Sequence, residues 1–135
     1  MRHLKKRRTL LLVACAAALA APVGCGGDDE SAEDVAQEYV DARNDGDAAK
    51  VCELYSGQLK QQIAAGGDCA AFVREQSSGA DTTFSLTRVD EDGDRATAVI
   101  QASTKEGGVG REQEIGIRLE RQDGDWQITE LVSGD

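Results

Sequence analysis

The four cysteines, at positions 15, 25, 52 and 69, are the residues of this sequence with the most distinctive chemistry. A thiolate is a nucleophile that other groups can modify, and two thiols can be oxidised to a disulfide. Cys15 and Cys25 lie within and just after an apolar run near the N terminus, whereas Cys52 and Cys69 lie in the charged body of the chain. The thiols therefore divide into two pairs, for which we expect different chemistry.

The N-terminal segment has the layout of an export signal. Residues 1–8, MRHLKKRR, are basic, and residues 10–23, LLLVACAAALAAPV, are apolar. A basic stretch followed by a short apolar run is typical of a signal that is removed after export. The run is also shorter than the roughly 20 apolar residues that a transmembrane helix needs. We therefore predict that residues 1–24 are a signal peptide.

The residues PVGC that end this run resemble the lipobox of bacterial lipoproteins, in which a small residue precedes the lipid-bearing cysteine. The resemblance implies that Gly24 fits the signal peptidase and that the Cys25 sulfur takes a diacylglycerol in a thioether bond. Pro22 stands where the family usually has leucine. Cys15, in LVAC, is a rival site, but it would leave an apolar run of only about six residues, shorter than a signal needs.

Lipidation at Cys25 predicts a protein held on the extracytoplasmic face of the cell membrane. Residues 25–31, CGGDDES, would then be a flexible acidic tether, and residues 32–135 a single domain. Two alternatives stay open. One is secretion after cleavage at an alanine, and the other is export by a twin-arginine route, because Arg7 and Arg8 are followed by leucines in RRTLL.

Charge and composition exclude several classes of function. The chain has 15 basic and 25 acidic residues; residues 1–24 hold five of the bases and no acid, so the remainder has ten bases against 25 acids, a net charge of −15. Such a body does not bind nucleic acid through charge. The single histidine, His3, lies in the predicted signal, which excludes histidine-dependent catalysis and histidine–zinc sites from the body. The acidic stretch VDEDGD fails the calcium-loop pattern, because Arg88 would occupy its first position. We expect no metal and no cofactor.

Cys52 and Cys69 are an even pair in an oxidising compartment, so we predict a structural disulfide. Their spacing is not the C-x-x-C of redox-active pairs. Two reduced core thiols are the alternative.

The first half of the body has helical periodicity. Ser31 and Asp34 form a capping box for a first helix, and Asp47 is placed to cap a second. Helical spacing runs through Tyr55 as far as the glycines at 66 and 67, which predicts one continuous second helix. Asp68 is placed to cap a third, CAAFVREQ.

The second half alternates apolar and polar residues with period two, which predicts four strands. In each strand the apolar residues that would share one face are, in chain order, Phe84 and Leu86; Ala96, Ala98, Ile100 and Ala102; Ile115, Ile117 and Leu119; and Trp126 and Ile128. Val99 would lie on the opposite face of the second strand. The segments DEDGD, KEGGVG and QDGD between them are typical of tight turns. We predict an α+β fold in which N-terminal helices pack on a four-stranded antiparallel sheet.

Helices followed by such a sheet resemble the nuclear transport factor 2-like superfamily, a cone of three helices wrapped by a curved sheet. Residues 32–56 resemble its first two helices, CAAFVREQ the third, and RQDGDWQITEL the closing hairpin. The resemblance implies a pocket at the open end of the cone. Members include isomerases, cyclases, dehydratases and binding modules, and small lipoproteins with this domain and a helix-to-helix cysteine pair are similar to this chain.

Five residues are candidates for that pocket: Tyr39, Tyr55, Arg88, Trp126 and Glu130. Period-two continuation places Arg88 and Glu130 on the face of the apolar strand residues. A carboxylate, a cation and a phenol can perform acid–base chemistry if they are buried. We favour a second interpretation, in which Arg88 and Glu130 are solvated rim residues and the two tyrosines are core, with their hydroxyls at its edge. Trp126 shares a face with Ile128, so we predict that it is a buried core residue; the alternative for Trp126 is an exposed ligand platform at the mouth of the cone.

Two functions are consistent with these observations. The first is a non-catalytic, lipid-anchored domain that binds a protein or a small molecule outside the cytoplasm. The second is a small isomerase- or cyclase-type enzyme that acts in the cone. The body after the predicted signal has no histidine and no dense polar cluster, which favours the first.

Overall fold

The structure, a computed structural model, describes residues 30–65, 67–77 and 81–133. The predicted signal peptide, Cys15, Cys25 and the tether up to residue 29 lie outside the described residues. The elements in chain order are four helices, α1 (Ala32–Asp45), α2 (Ala48–Leu54), α3 (Gly57–Ala64) and α4 (Cys69–Ser77), and four strands, β1 (Asp81–Asp92), β2 (Arg95–Glu106), β3 (Val109–Gln122) and β4 (Asp125–Ser133). Among the helices of these described ranges, none has both the length and the apolar composition of a membrane span.

The predicted caps start three of the helices. Ser31 and Asp34 exchange hydrogen bonds in a capping box at the start of α1. Asp47 accepts from the Lys50 N–H at 3.1 Å, and Asp68 accepts from the Ala71 N–H at 3.3 Å. Each bond satisfies a backbone donor that the first turn of a helix leaves unpaired.

The prediction of one continuous second helix is wrong, because the chain breaks at Tyr55 and Ser56 into α2 and α3. Tyr55 is extended, with φ −79° and ψ 143°, and forms a parallel bridge with Ile128. The Ser56 N–H donates to the Ile128 carbonyl at 2.8 Å, and the Ser56 hydroxyl accepts from the Leu59 N–H to cap α3. Helical spacing alone cannot reveal this break, because its cause is a strand that lies far away in the sequence.

The sheet is the predicted antiparallel meander, with strand order β1-β2-β3-β4. The strands are joined by turns at Gly93, at Gly107–Gly108 and at Asp123–Gly124, all with positive φ. Positive φ at the centre of a two-residue loop matches the twist of the strands that it connects. The α+β prediction is confirmed.

The helices cover one face of this sheet. The core between the two layers is formed by buried apolar side chains from both. The three later strands contribute Ala98, Ile100, Ile117, Leu119 and Ile128. The helices contribute Val35, Ala36, Val40 and Val51, among others. Burial of these side chains is the main stabilising term of the fold.

A disulfide joins Cys52 in α2 to Cys69 at the start of α4, with 6.1 Å between the Cα atoms. It therefore ties together two helices that pack on each other. The predicted pairing is present in the structure.

Candidate functional site

A pocket of about 340 Å³ lies between α1, the end of α4 and the inner face of the sheet. Its walls come from the same end of all four strands: the start of β1 and β3 and the end of β2 and β4. The sheet side is formed mainly by Thr82, Phe84, Ala102, Thr104, Ile115 and Leu131. These residues fall on one face because alternate residues of a strand point the same way.

Of the five predicted pocket residues, Tyr39 alone lines this pocket. Tyr55 lies behind it, 1% exposed, with its ring centroid 6.3 Å from that of Tyr39. The Tyr55 hydroxyl has no hydrogen-bond partner among the described residues. Burial raises the pKa of Tyr55 well above its usual range, so this phenol stays neutral and cannot serve as a base near neutral pH.

Arg88 does not face the pocket, so its placement by period-two continuation is wrong, and it is exposed as the favoured rim interpretation predicts. β1 pairs with β2 in one register as far as Leu86 opposite Ile100, and then shifts by one residue, so that Arg88 lies opposite Val99. The extra residue, Thr87, forms a β-bulge that reverses the alternation beyond it. Val89 takes the inner position, and Arg88 is exposed beside Asp90.

Glu130 is displaced from its predicted face in the same way. Leu119 pairs with Ile128, but Arg118 pairs with Glu130, so Thr129 is the extra residue of a second bulge. Glu130 therefore points outward and accepts a 2.7 Å hydrogen bond from the Arg118 guanidinium. Leu131 takes the inner position and forms part of the pocket wall.

Trp126 is a core residue, as predicted from the face that it shares with Ile128. It is 4% exposed and does not line the pocket. The guanidinium of Arg121 lies 4.9 Å from the centre of its ring, and the indole N–H has no partner in the described part of the chain. Its role is packing rather than recognition.

Arg43 is the charged residue of the pocket, and the sequence analysis missed it. Its guanidinium lies 4.6 Å from the centre of the Phe84 ring and 5.9 Å from that of Tyr39. One terminal N–H donates to the Gln76 side-chain oxygen at 3.4 Å, whereas the buried Nε has no partner among the described residues. Sequence spacing could have revealed Arg43 as a pocket residue. It follows Tyr39 by four positions, about one helical turn, and therefore lies on the same face of the helix.

The described lining residues are suited to binding rather than to proton transfer. Arg43 is their only formal charge, and the other polar groups are hydroxyls and side-chain amides, such as those of Thr82, Thr104 and Gln113. No carboxylate is among them, and no group of three or more potential metal ligands occurs in the described residues. Such a lining can hold a small molecule by apolar contact and fix one anionic or hydrogen-bond-accepting group.

A second cavity of about 260 Å³ has a different character. Its charged lining residues form ion pairs with each other, Arg118 with Glu130 at 2.7 Å and Arg95 with Glu120 at 3.5 Å. These pairs are largely exposed and leave no free charge for a ligand.

No protein-family model matches the sequence, and a search of curated proteins found no significant match. Solved structures do match. The protein described as "Rd1NTF2_04 with long sheet" is 19% identical, with a TM-score of 0.63 over 77% of this chain and 100% of that one. An NTF-2 like protein of unknown function from Shewanella oneidensis MR-1 is 14% identical, with a TM-score of 0.54 over 75% and 93% of the two chains.

An enzyme also occurs among these structures. An LEH-like epoxide hydrolase from M. tuberculosis is 13% identical, with a TM-score of 0.50 over 70% of this chain and 78% of that one. At these identities the likeness establishes the fold alone.

Proposed function

We propose that this chain, whose fold is nuclear transport factor 2-like, is a lipid-anchored extracytoplasmic domain that binds a small ligand in its pocket without catalysing a reaction on it. The observation that carries the proposal is the pocket itself. It is open between the helices and the sheet, has a lining that is apolar and polar in about equal parts, and contains one oriented cation. Apolar side chains beside hydroxyls, amides and a cation can bury the body of a small molecule and fix its orientation.

The alternative, a small isomerase- or cyclase-type enzyme, needs a group in the pocket that takes up and returns a proton. The carboxylate and the cation named for that site were Glu130 and Arg88, and both bulges turn them to the outer face. The phenol of Tyr39 lines the pocket, but no carboxylate or histidine accompanies it among the described lining residues. The described lining therefore supports binding over acid–base catalysis.

The anchor rests on the sequence around Cys25. The described body begins with the cap of α1 at Ser31, a few residues after that cysteine. Lipid on Cys25 would hold the domain close to the membrane surface, with a short glycine-rich and acidic segment between them.

Titration with an uncharged fluorescent probe, N-phenyl-1-naphthylamine, tests the binding role. We expect a saturable rise in probe fluorescence with the full-length protein. Thr104→Phe should abolish it, because Thr104 lines the pocket and a phenyl ring there would fill it. Ser103→Phe is the matched control, since the neighbouring residue of β2 points to the other face. Equal binding by both variants would show that the probe occupies another surface and would contradict the proposal.

A further inference from the structure

The position of Arg43 defines what kind of ligand the pocket takes. Every other described lining residue is uncharged, so Arg43 is the one formal charge in direct contact with the pocket among the described residues. No ion pair joins its guanidinium to a carboxylate among the described residues, although the chain as a whole is strongly acidic. The pocket is therefore a local cationic site in an anionic protein.

The Arg43 guanidinium is held in place by its neighbours, but most of its N–H donors have no hydrogen-bond acceptor among the described residues. It lies over the rings of Phe84 and Tyr39, 4.6 and 5.9 Å from their centres, and Gln76 accepts one long hydrogen bond from it. A guanidinium has five N–H donors. The buried Nε has no hydrogen-bond partner among the described residues, although the Tyr55 hydroxyl is close enough for the Arg43 charge to oppose the rise of the Tyr55 pKa. A ligand that accepts from the terminal N–H groups would add hydrogen bonds to the single long one that Gln76 supplies.

We propose that the ligand is a small monocarboxylic acid with an apolar body, whose carboxylate is bound by Arg43; this inference rests on the proposed binding function. A planar carboxylate matches the fork of a guanidinium, which donates two parallel hydrogen bonds to it. The apolar body would lie against Phe84, Ile115 and Leu131.

A single arginine also limits the charge of the ligand. Arg43 can neutralise one negative charge, whereas a phosphate monoester carries nearly two at neutral pH. The described lining offers no second cation. A carboxylate is therefore favoured over a phosphate.

Three small aromatic probes test this inference on the purified full-length protein: benzoate, benzamide and phenyl phosphate. They share a phenyl ring and differ in the polar group that it carries. Binding is measured by calorimetry or by ¹⁵N-resolved NMR. We expect benzoate to bind roughly tenfold to a hundredfold more tightly than benzamide, as the loss of a charge-assisted hydrogen bond implies. Phenyl phosphate should bind more weakly than benzoate. Raising the salt concentration should weaken benzoate binding and leave benzamide binding unchanged.

Two variants locate the effect. Arg43→Met should lower benzoate affinity to that of benzamide, with benzamide affinity unchanged. Arg43→Lys keeps the charge but loses the planar fork, so it should bind benzoate at an intermediate affinity. The salt dependence is measured on the unmodified protein and holds even if a variant does not fold.

The outcomes separate this inference from the function on which it rests. Equal affinity for benzoate and benzamide, or tighter binding of phenyl phosphate, would overturn the carboxylate assignment while binding in the pocket stands. Failure of all three probes and of the uncharged naphthylamine would overturn both.

Discussion

The side-chain amide of Asn44 pairs with the backbone of Phe84 as a neighbouring strand would. Its Nδ2 donates to the Phe84 carbonyl at 2.9 Å, and its Oδ1 accepts from the Phe84 N–H at 2.8 Å. Phe84 lies on β1, an edge strand of the sheet. The last turn of α1 is thereby fixed to the sheet beside the pocket, and one pair of edge groups is closed to other strands.

Removal of this amide should destabilise the fold. Asn44→Ala leaves both Phe84 groups without their partner, and we expect the free energy of unfolding to fall by about 1–3 kcal/mol, the worth of two hydrogen bonds. Urea denaturation measures the change, and faster hydrogen exchange at the Phe84 amide locates it. Gln37→Ala is the control, because it removes an exposed bond to Asp41 on the same helix. An equal, small loss in both variants would contradict the prediction.

The Cys52–Cys69 bridge should be present in exported protein and should contribute strongly to stability. The two cysteines are 17 positions apart, and closing a loop of that size is worth about 3 kcal/mol in the chain-entropy model. Cys52→Ala should lower the free energy of unfolding by roughly 2–5 kcal/mol. Non-reduced peptide mass spectrometry should find the linked pair. Recovery of free thiols at both positions would show that the bridge does not form.

The burial of Trp126 predicts both its energetic weight and its fluorescence. Trp126→Ala should cost about 3–5 kcal/mol, because the surrounding core cannot close the space that it leaves. As the chain has one tryptophan, its emission reports this site directly, and iodide should quench it weakly. Arg121→Ala, which removes the cation over the ring, should cost only about 0.5–1 kcal/mol. Strong quenching together with little loss of stability in Trp126→Ala would argue for an exposed binding platform.

Acid should weaken the start of α1. The Ser31 N–H and hydroxyl both donate to the Asp34 carboxylate, which lowers its pKa below the usual 3.8. A group with a lowered pKa in the folded state stabilises the fold above its unfolded pKa and loses that effect as the pH falls through the folded value. The stability difference between the wild type and Asp34→Asn should therefore be constant near neutral pH and shrink below about pH 3.8.

Glu33→Gln is the control for this comparison. It removes a charge from the same helical turn but none of the capping hydrogen bonds. A stability difference for Asp34→Asn that is the same at all pH values would contradict the role of the ionised carboxylate.

The lipid anchor predicts a change of location. Cys25→Ser cannot form the thioether, so the protein should move from the membrane fraction to the medium. Cys15→Ser should stay in the membrane fraction. Fractionation with metabolic labelling by a fatty acid tests both variants, and a Cys25→Ser protein that retains label in the membrane would disprove the assignment.

The sequence predicted what depends on local chemistry. The caps at Ser31, Asp47 and Asp68 are decided within one helical turn, and the strands are separated by turn residues that need positive φ. The capping residues and the turn residues both lie within a few positions of the helix start or the turn that they determine. The order of a helical half followed by four strands, and the apolar face of β1 and β4 up to their bulges, followed from them.

The misplaced residues all depend on distant partners. Thr87 and Thr129 look like ordinary strand residues, and the pairing with β2 and β3 makes them bulges that turn Arg88 and Glu130 outward. The break at Tyr55 exists because Ile128 pairs with it. A one-residue shift moves every later side chain of a strand to the opposite face. Pocket residues predicted from alternation alone are therefore wrong beyond the first bulge.

The strand order β1-β2-β3-β4 has a consequence for how the chain folds. Each strand pairs with its neighbour in sequence across a two-residue turn, so the sheet can grow hairpin by hairpin with little loop to close at each step. The bond between Ser56 and Ile128 is different, because it encloses β1, β2 and β3 and cannot form until β4 has been added. We therefore expect the attachment of the helical layer to β4 to be among the last events of folding, after the sheet has assembled.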